Sequence, residues 1–324
     1  LDCLTSQHFW DQLDQIPVEV LAEIEREIVD RAVEQFKLPI DTVLYDATNF
    51  FTFIASTNTR CELPARGRGK QKRHDLRQLG VALLCTRRDG IPLMHKMYGG
   101  QVPDARSFAE ALPLIRQRLV DMGRDLSSLT LVYDKGNVSK INQNSVAQSD
   151  LHYVASLTAD SQRAIIVEAN AHLEAVKLDE DESVMAYRTR QAVWGAERTV
   201  VVVISETLRA GQVRGIMQHV ASAQKYLQEL ADTLQCGKQK RSQAKIQRDI
   251  ETRLMGRQHL NDVLSFHLGG TGRALTLTWK FDQVKLDTLA RDWLGRLVLM
   301  TDRHDWPTSE IILAYRGQST IEAV

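Results

Sequence analysis

Two aspartates in this 324-residue sequence stand in the same unusual context. Asp46 and Asp134 each follow a tyrosine at the end of an apolar, β-forming run, in VLYDAT and LVYDKG. Acids at strand ends can converge while they stay accessible to solvent. Two converging carboxylates repel each other unless a divalent cation offsets their charge, and such oxygen ligands suit Mg²⁺ or Mn²⁺. The alternative is two separate turn acids, each accepting backbone N–H bonds.

The composition is that of an ordinary globular chain, with 43% hydrophobic and 25% charged residues. There are 41 basic and 41 acidic residues, and the resulting net charge of zero excludes a globally basic protein steered onto phosphate. The charge is nevertheless segregated: residues 1–35 sum to −7, residues 60–77 to +5 and residues 208–260 to +6. The two basic segments are either solvated surface or contacts for phosphate.

Cysteine usage and hydropathy indicate the compartment. The four cysteines lie far apart without a C-x-x-C pair, which favours unpaired thiols in a reducing cytosol over a zinc site. No apolar run is long enough to cross a membrane, so we expect no membrane partner.

The elements that must position the two aspartates follow from the pattern of apolar runs and turn residues. Residues 41–158 predict strand, strand, strand, helix, strand, helix, strand, which indicates a mixed sheet flanked by helices. Residues 159–204 predict further β structure, and residues 207–259 predict a long polar helix broken near Cys236. Two more strands follow. A last helix begins after Pro307 with a Thr308 or Ser309 cap, breaks at Gly317 and restarts toward Glu322.

Residues 1–40 contain an acidic helix with apolar residues at intervals of three to four positions, which predicts an amphipathic helix with a solvated acidic face. The chain begins at Leu1 rather than at a methionine and ends at Val324 within the pattern of the last helix. We therefore expect it to be a fragment of a longer protein.

Six motifs occur in an order that resembles a known family. They are LYDATNFF at 44–51, KRHDLRQLG at 72–80, DGIPL at 89–93, GGQVPD at 99–104, LVYDKGN at 131–137 and AYRGQSTIE at 314–322. Together they are similar to the DDE transposases of bacterial insertion sequences, in the subgroup marked by a Tyr, Arg, Glu, Lys signature. The resemblance covers residues 41–324.

The resemblance implies an α/β, RNase H-like fold: a mixed sheet flanked by helices, with a β-plus-helical insertion before the last catalytic helix. It divides the chain into an acidic N-terminal segment (1–40, the end of a missing N-terminal region), the first part of the catalytic core (41–158), an insertion subdomain (159–295) and a truncated final strand and helix (296–324). It implies that Asp46, Asp134 and Glu322 are the catalytic acids and that they hold two Mg²⁺ or Mn²⁺ ions.

The signature also marks two positions near the third acid. Tyr315 matches the family tyrosine, seven residues before Glu322. The arginine position, four residues before the acid, holds Gln318, and the lysine position would fall beyond Val324. Asp302, Asp305 and Glu310 are further acids near the end of the chain that compete with Glu322 on sequence alone.

The implied partner is double-stranded DNA, both the terminal repeats of the element and the target, with the protein acting as a homodimer on paired ends in the bacterial cytoplasm at the nucleoid. The basic segments then gain a role as phosphate contacts. The predicted DNA-binding residues are Arg66, Arg68, Lys70, Lys72, Arg73, Arg77, Lys238, Lys240, Arg241, Lys245, Arg248, Tyr315 and Arg316.

The implied activity is metal-dependent phosphodiester cleavage at element ends followed by strand transfer into target DNA. Two alternatives stay open. One is an RNase H-like nuclease that cleaves without strand transfer, and the other is a degenerate transposase that binds DNA without catalysis.

Overall fold

The computed structural model describes residues 5–321 except 56, 59–60, 68–72, 74, 236–241, 255 and 272–273, together with the backbone of Glu322. The strands are β1 Thr42–Thr52, β2 Arg77–Thr86, β3 Pro92–Gly99, β4 Thr130–Tyr133, β5 His152–Leu157, β6 Glu174–Lys177, β7 Ser183–Val193, β8 Ala196–Ile204, β9 Leu264–Gly269, β10 Thr276–Phe281 and β11 Arg296–Thr301. The helices are α1 Ser6–Leu13, α2 Val18–Phe36, α3 Asp104–Asp121, α4 Lys140–Ala147, α5 Arg163–Ala171, α6 Glu206–Gln235, α7 Gln243–Leu254, α8 Leu260–Val263, α9 Gln283–Asp292, α10 Thr308–Arg316 and α11 Gln318–Glu322.

Within the described residues, nine strands form one mixed sheet in the order β3-β2-β1-β4-β5-β11-β8-β7-β6. The first three strands are antiparallel, whereas β4 is parallel to β1 and β5 is parallel to β4. Strand β11 is antiparallel to both of its neighbours. The predicted mixed α/β sheet flanked by helices is therefore confirmed.

The two faces of this sheet carry different helices. Side chains alternate along a strand, so Val43, Tyr45 and Ala47 of β1 join the core that packs on α3. Leu44 instead joins the core built with Ile311, Ile312 and Ile321 of α10 and α11. Even-numbered positions of β1 therefore lie on the face of the sheet that carries the last two helices.

A second core lies within residues 206–294. Helices α6 and α7 contribute Leu227, Ala231 and Ile250, and the hairpin of β9 and β10 packs on them. Strands β6, β7 and β8, by contrast, extend the main sheet beyond β11. No helix in the described part of the chain is long and apolar enough to span a bilayer.

The predicted elements agree with the structure in the regions that carry the two aspartates. The hairpin turn at Gly90 has φ 64°, the left-handed conformation that the Asp-Gly pair predicts. The last helix breaks at Gly317 as expected. The predicted break near Cys236 lies outside the described residues.

Two local predictions were wrong. Residues 163–171 form helix α5 rather than β structure, because Ile165, Ile166 and Ala169 are buried along one helical face. Helix α10 begins after Pro307 without the predicted side-chain cap. The acidic helix is confirmed as α2. Its residues Leu21, Ile24 and Ile28 are exposed as well, and α2 packs on the core through Val29 and Val33.

The start of the basic loop at residues 63–67 is anchored to the main sheet. Gln78 donates from Nε2 to the carbonyl of Gly100 at 2.8 Å, and Ala65 exchanges backbone hydrogen bonds with Gln78. A Cβ on Gly100 would lie 1.9 Å from the Gln78 carbonyl oxygen, so the backbones approach closely enough to require glycine. The GGQVPD motif therefore fixes the root of the basic loop.

We expect Gly100→Ala to lower the free energy of unfolding by about 1–3 kcal/mol, because its methyl group overlaps a backbone atom that cannot rotate away. Urea unfolding measures the change. Gly215→Ala is the matched control, since its Cβ meets nothing within 4 Å on helix α6. It should leave stability unchanged or raise it by up to about 1 kcal/mol. Equal effects of the two substitutions would contradict the anchoring role of Gly100.

Candidate active site

Parallel pairing of β1 with β4 brings Asp46 and Asp134 next to each other. Tyr45 is the register partner of Tyr133, so the aspartates that follow them are the next residues of two strands about 4.8 Å apart. Alternation places both on the face of the sheet that α10 and α11 cover. Both acids are half-buried.

Asp134 is held by two hydroxyl groups from different elements. Tyr315 of α10 donates from Oη to Asp134 Oδ1 at 2.6 Å, and Ser156 of β5 donates from Oγ to the same oxygen at 2.7 Å. The two hydroxyl oxygens lie 3.0 Å apart. The Lys135 N–H donates to Ser156 Oγ at 3.0 Å. Two hydroxyl groups from different elements thus converge on one carboxylate oxygen.

These contacts keep Asp134 ionised. Burial opposes the charge and by itself raises the pKa of the carboxyl, but the hydrogen bonds from Tyr315 and Ser156 and the adjacent Lys135 outweigh burial. The pKa therefore lies below its ordinary value of 3.8. Asp134 therefore carries its negative charge near neutral pH.

Gln318 ties the last helix to both aspartate-bearing strands. Its buried side chain donates from Nε2 to the carbonyl of Val132 at 2.9 Å and to the carbonyl of Tyr45 at 3.4 Å. These carbonyls lie one or two residues before the two acids. The residue at the arginine position of the family signature therefore binds the protein backbone.

The predicted third acid lies on the same face of the sheet. The backbone of Glu322 ends α11, directly after Ile321, which is buried against Leu44 and its neighbours. The Glu322 side chain lies outside the described residues. In the part of the chain that is described, no group of three or more His, Cys, Asp or Glu side chains is arranged to hold a metal ion.

Two of the competing acids near the end of the chain have partners elsewhere. Asp302 accepts from the Tyr153 N–H at 3.0 Å and contacts His152, at the opposite end of β5 from Ser156. Glu310 forms an ion pair with Arg87, at the end of β2. Asp305 is exposed in the turn after β11. Asp302 and Glu310 are thus held by other residues, and the assignment of Glu322 as the third acid stays a prediction.

The predicted DNA-binding residues fall into separate groups. Those outside the described residues are Arg68, Lys70, Lys72, Lys238, Lys240 and Arg241. Arg66, in the anchored loop at residues 63–67, is exposed. Arg73 is also exposed and forms an ion pair with Asp75. Arg77 begins β2 and donates to the Asn58 carbonyl.

The remaining predicted contacts lie on helices. Lys245 and Arg248 are exposed on α7, in the second core region. Tyr315 contacts Asp134, whereas Arg316 forms an ion pair with Glu182 in the turn between β6 and β7 at 2.7 Å. The role of these helical residues in DNA binding stays a prediction.

Ser156 is a functional candidate that the sequence did not indicate. It is fully buried in the apolar strand HYVASL, whose neighbouring Ala155 and Leu157 side chains offer its hydroxyl no hydrogen bond. The signal is a polar residue inside a buried strand, but its partner depends on the register between β4 and β5, which the sequence does not give.

The structure defines a mixed α/β protein with a large sheet flanked by helices. No protein-family model and no curated protein matches the chain. Among solved structures, the chain is similar to the piggyBac transposase in the cryo-EM structure of its synaptic complex with hairpin DNA, with a TM-score of 0.32 and 13% sequence identity. The match covers 59% of this chain and 38% of that chain.

We expect Tyr315→Phe to raise the pKa of Asp134 and to destabilise the fold by about 1.5–3 kcal/mol near neutral pH, because a hydrogen bond to a charged group is lost. The folded-state pKa lies below 3.8, so the stabilisation is present above that pH and is lost as the pH falls through the folded-state pKa. Carbon-13 NMR titration of the carboxyl and urea unfolding at two pH values measure both effects.

Tyr187→Phe is the matched control for this substitution. It removes a hydrogen bond of 2.5 Å from Tyr187 to the exposed carboxylate of Glu168, away from Asp134. The control should leave the titration of Asp134 unchanged. A Tyr315→Phe variant whose Asp134 titrates as in the wild type would show that the hydroxyl does not stabilise the carboxylate.

Proposed function

We propose that the chain is a DNA transposase of the DDE type with an RNase H-like catalytic core. It cleaves phosphodiester bonds at the ends of a mobile element and joins the freed 3′ ends to target DNA. In the joining step the freed 3′-OH attacks a phosphodiester of the target, and the 3′-oxygen of that target bond leaves. The mixed sheet flanked by helices, with β3, β2 and β1 antiparallel and β1, β4 and β5 parallel, supports this proposal.

The observation that carries the proposal is the hydrogen bond from Tyr315 to Asp134. It joins the helix that bears the signature tyrosine to the second of two acids on neighbouring strands. These segments are separated by about half of the chain, yet they meet on one face of one sheet. A pair of unrelated turn acids would not account for this convergence.

The residues on this face suit a pair of divalent cations. Asp134 has a lowered pKa, and its Oδ1 is oriented by hydrogen bonds from Tyr315 and Ser156. Asp46, Asp134 and Glu322 would hold the ions, which would activate the attacking water or 3′-OH and stabilise the leaving oxygen. Tyr315 and Ser156 orient Asp134, and Gln318 fixes the two strands against the last helix.

Replacing the proposed acids should abolish cleavage. In a plasmid-nicking assay with Mg²⁺ or Mn²⁺, Asp46→Asn, Asp134→Asn and Glu322→Gln should each fall to background, because each removes a negatively charged oxygen ligand. Asp305→Asn is the matched control, since this exposed acid lies outside the site, and it should keep wild-type activity. Full metal-dependent cleavage by Asp46→Asn would refute the assignment.

A strand-transfer assay separates the transposase from a nuclease. Pre-cleaved ends made from the DNA that flanks the coding sequence of this chain should be joined to a target plasmid. Cleavage without joining would instead identify a nuclease. DNA binding with neither reaction would identify a degenerate transposase.

Neutralising exposed arginines should remove contacts with phosphate. DNA binding should then be weaker and should depend less steeply on salt. Arg66→Gln with Arg73→Gln should reduce the slope of log affinity against log salt by about 0.9 for each phosphate contact that is lost. Arg31→Gln, on the acidic helix α2, is the matched control and should leave the slope unchanged. Fluorescence anisotropy at several salt concentrations gives the slope, and an unchanged slope for the double variant would show that these arginines are solvated surface.

A further inference from the structure

Two phenylalanines are exposed at the end of β1. Phe50 is 54% exposed and Phe53 is 87% exposed, although Phe is a residue type that folded proteins usually bury. Phe50 pairs with Leu79 of β2 in the antiparallel register. The neighbouring pair of Val81 and Met97 lies on the same face, and Met97 is also exposed. Phe50 and Met97 therefore form an apolar surface at this end of the face, and Phe53 lies just beyond the last residue of β1, where strand alternation no longer fixes its side.

This surface is continuous with the proposed active site. Phe50 follows Asp46 by four residues, so alternation places both side chains on the same face of β1. At a rise of about 3.3 Å per residue, the two Cα atoms are about 13 Å apart, which equals about four base-pair steps of DNA. DNA that places a phosphate at the two aspartates and runs along β1 would pass over Phe50.

The charge beside the two phenylalanines suits the same partner. Arg77 is the register partner of Thr52, between Phe50 and Phe53, and Arg66 and Arg73 are exposed close by along the chain. Proteins that bind nucleic acid with unstacked nucleobases combine positively charged side chains with exposed aromatic rings.

We propose that Phe50 and Phe53 form an aromatic contact for unstacked bases of the DNA, about four base pairs from the phosphate that is cleaved. The inference rests on the proposed function and adds to it a contact with bases. The arginines bind phosphate and set the salt dependence, whereas the phenylalanines contribute affinity that salt does not change.

The test compares the Phe50→Ala, Phe53→Ala double variant with the wild type by fluorescence anisotropy. The probes are a short fluorescein-labelled duplex and the same duplex with two unpaired bases. The double variant should lose affinity for the probe with unpaired bases by about fivefold or more, with an unchanged salt slope. Phe36→Ala is the matched control, because Phe36 is 68% exposed on the acidic helix, and it should bind as the wild type does.

The outcomes separate this inference from the proposed function. Wild-type affinity of the double variant, with cleavage intact, overturns the base contact and leaves the transposase assignment in place. A wild-type protein that binds neither probe overturns both. Sedimentation that shows a wild-type dimer and a monomeric double variant with unchanged DNA affinity would assign the surface to a second copy of the chain.

Discussion

Pairing of β1 with β4 is the constraint on which the candidate site depends. These strands are far apart in the sequence, yet their parallel register sets Tyr45 opposite Tyr133 and therefore brings Asp46 beside Asp134. A shift by one residue would turn one of the two acids to the opposite face, where α3 packs. The buried amide of Gln318 binds a carbonyl of each strand and ties the last helix to this pair. The hydrogen bonds of the sheet and of this side chain thus determine where the acids lie.

The polar groups around Asp134 resolve the conflict between burial and charge. A half-buried carboxylate is costly unless hydrogen bonds compensate for the water that it loses. Tyr315 and Ser156 supply that compensation and place two donors on one oxygen. The same contacts fix the orientation of the side chain, so its stability and its charged state have a common cause. They also explain why a tyrosine seven residues before Glu322 is useful at this position of α10.

The sequence indicates the parts of the fold that depend on local signals. The apolar run of β1, the turn at Gly90 and the break at Gly317 were predicted correctly, because turn residues and periodicity act within a few residues. Helix α5 was missed because its Ile-Ile-Val run has the composition of a strand, and its burial decides the outcome. Ser156, Gln318 and the exposed apolar side of α2 depend on register and packing between distant segments, which the sequence of one chain does not reveal. Local pattern predicted a helix that restarts toward Glu322, whereas the catalytic role of Glu322 came from the resemblance alone.

Calorimetric titration with Mn²⁺ tests most directly whether Asp46 and Asp134 form a metal centre. The wild-type chain should bind Mn²⁺ at a site that is lost in Asp134→Asn and kept in Asp302→Asn, since Asp302 binds Tyr153 and His152 at the other end of β5. Equal Mn²⁺ binding by the wild type and Asp134→Asn would contradict the account, because the acids would then share a sheet face without forming a site.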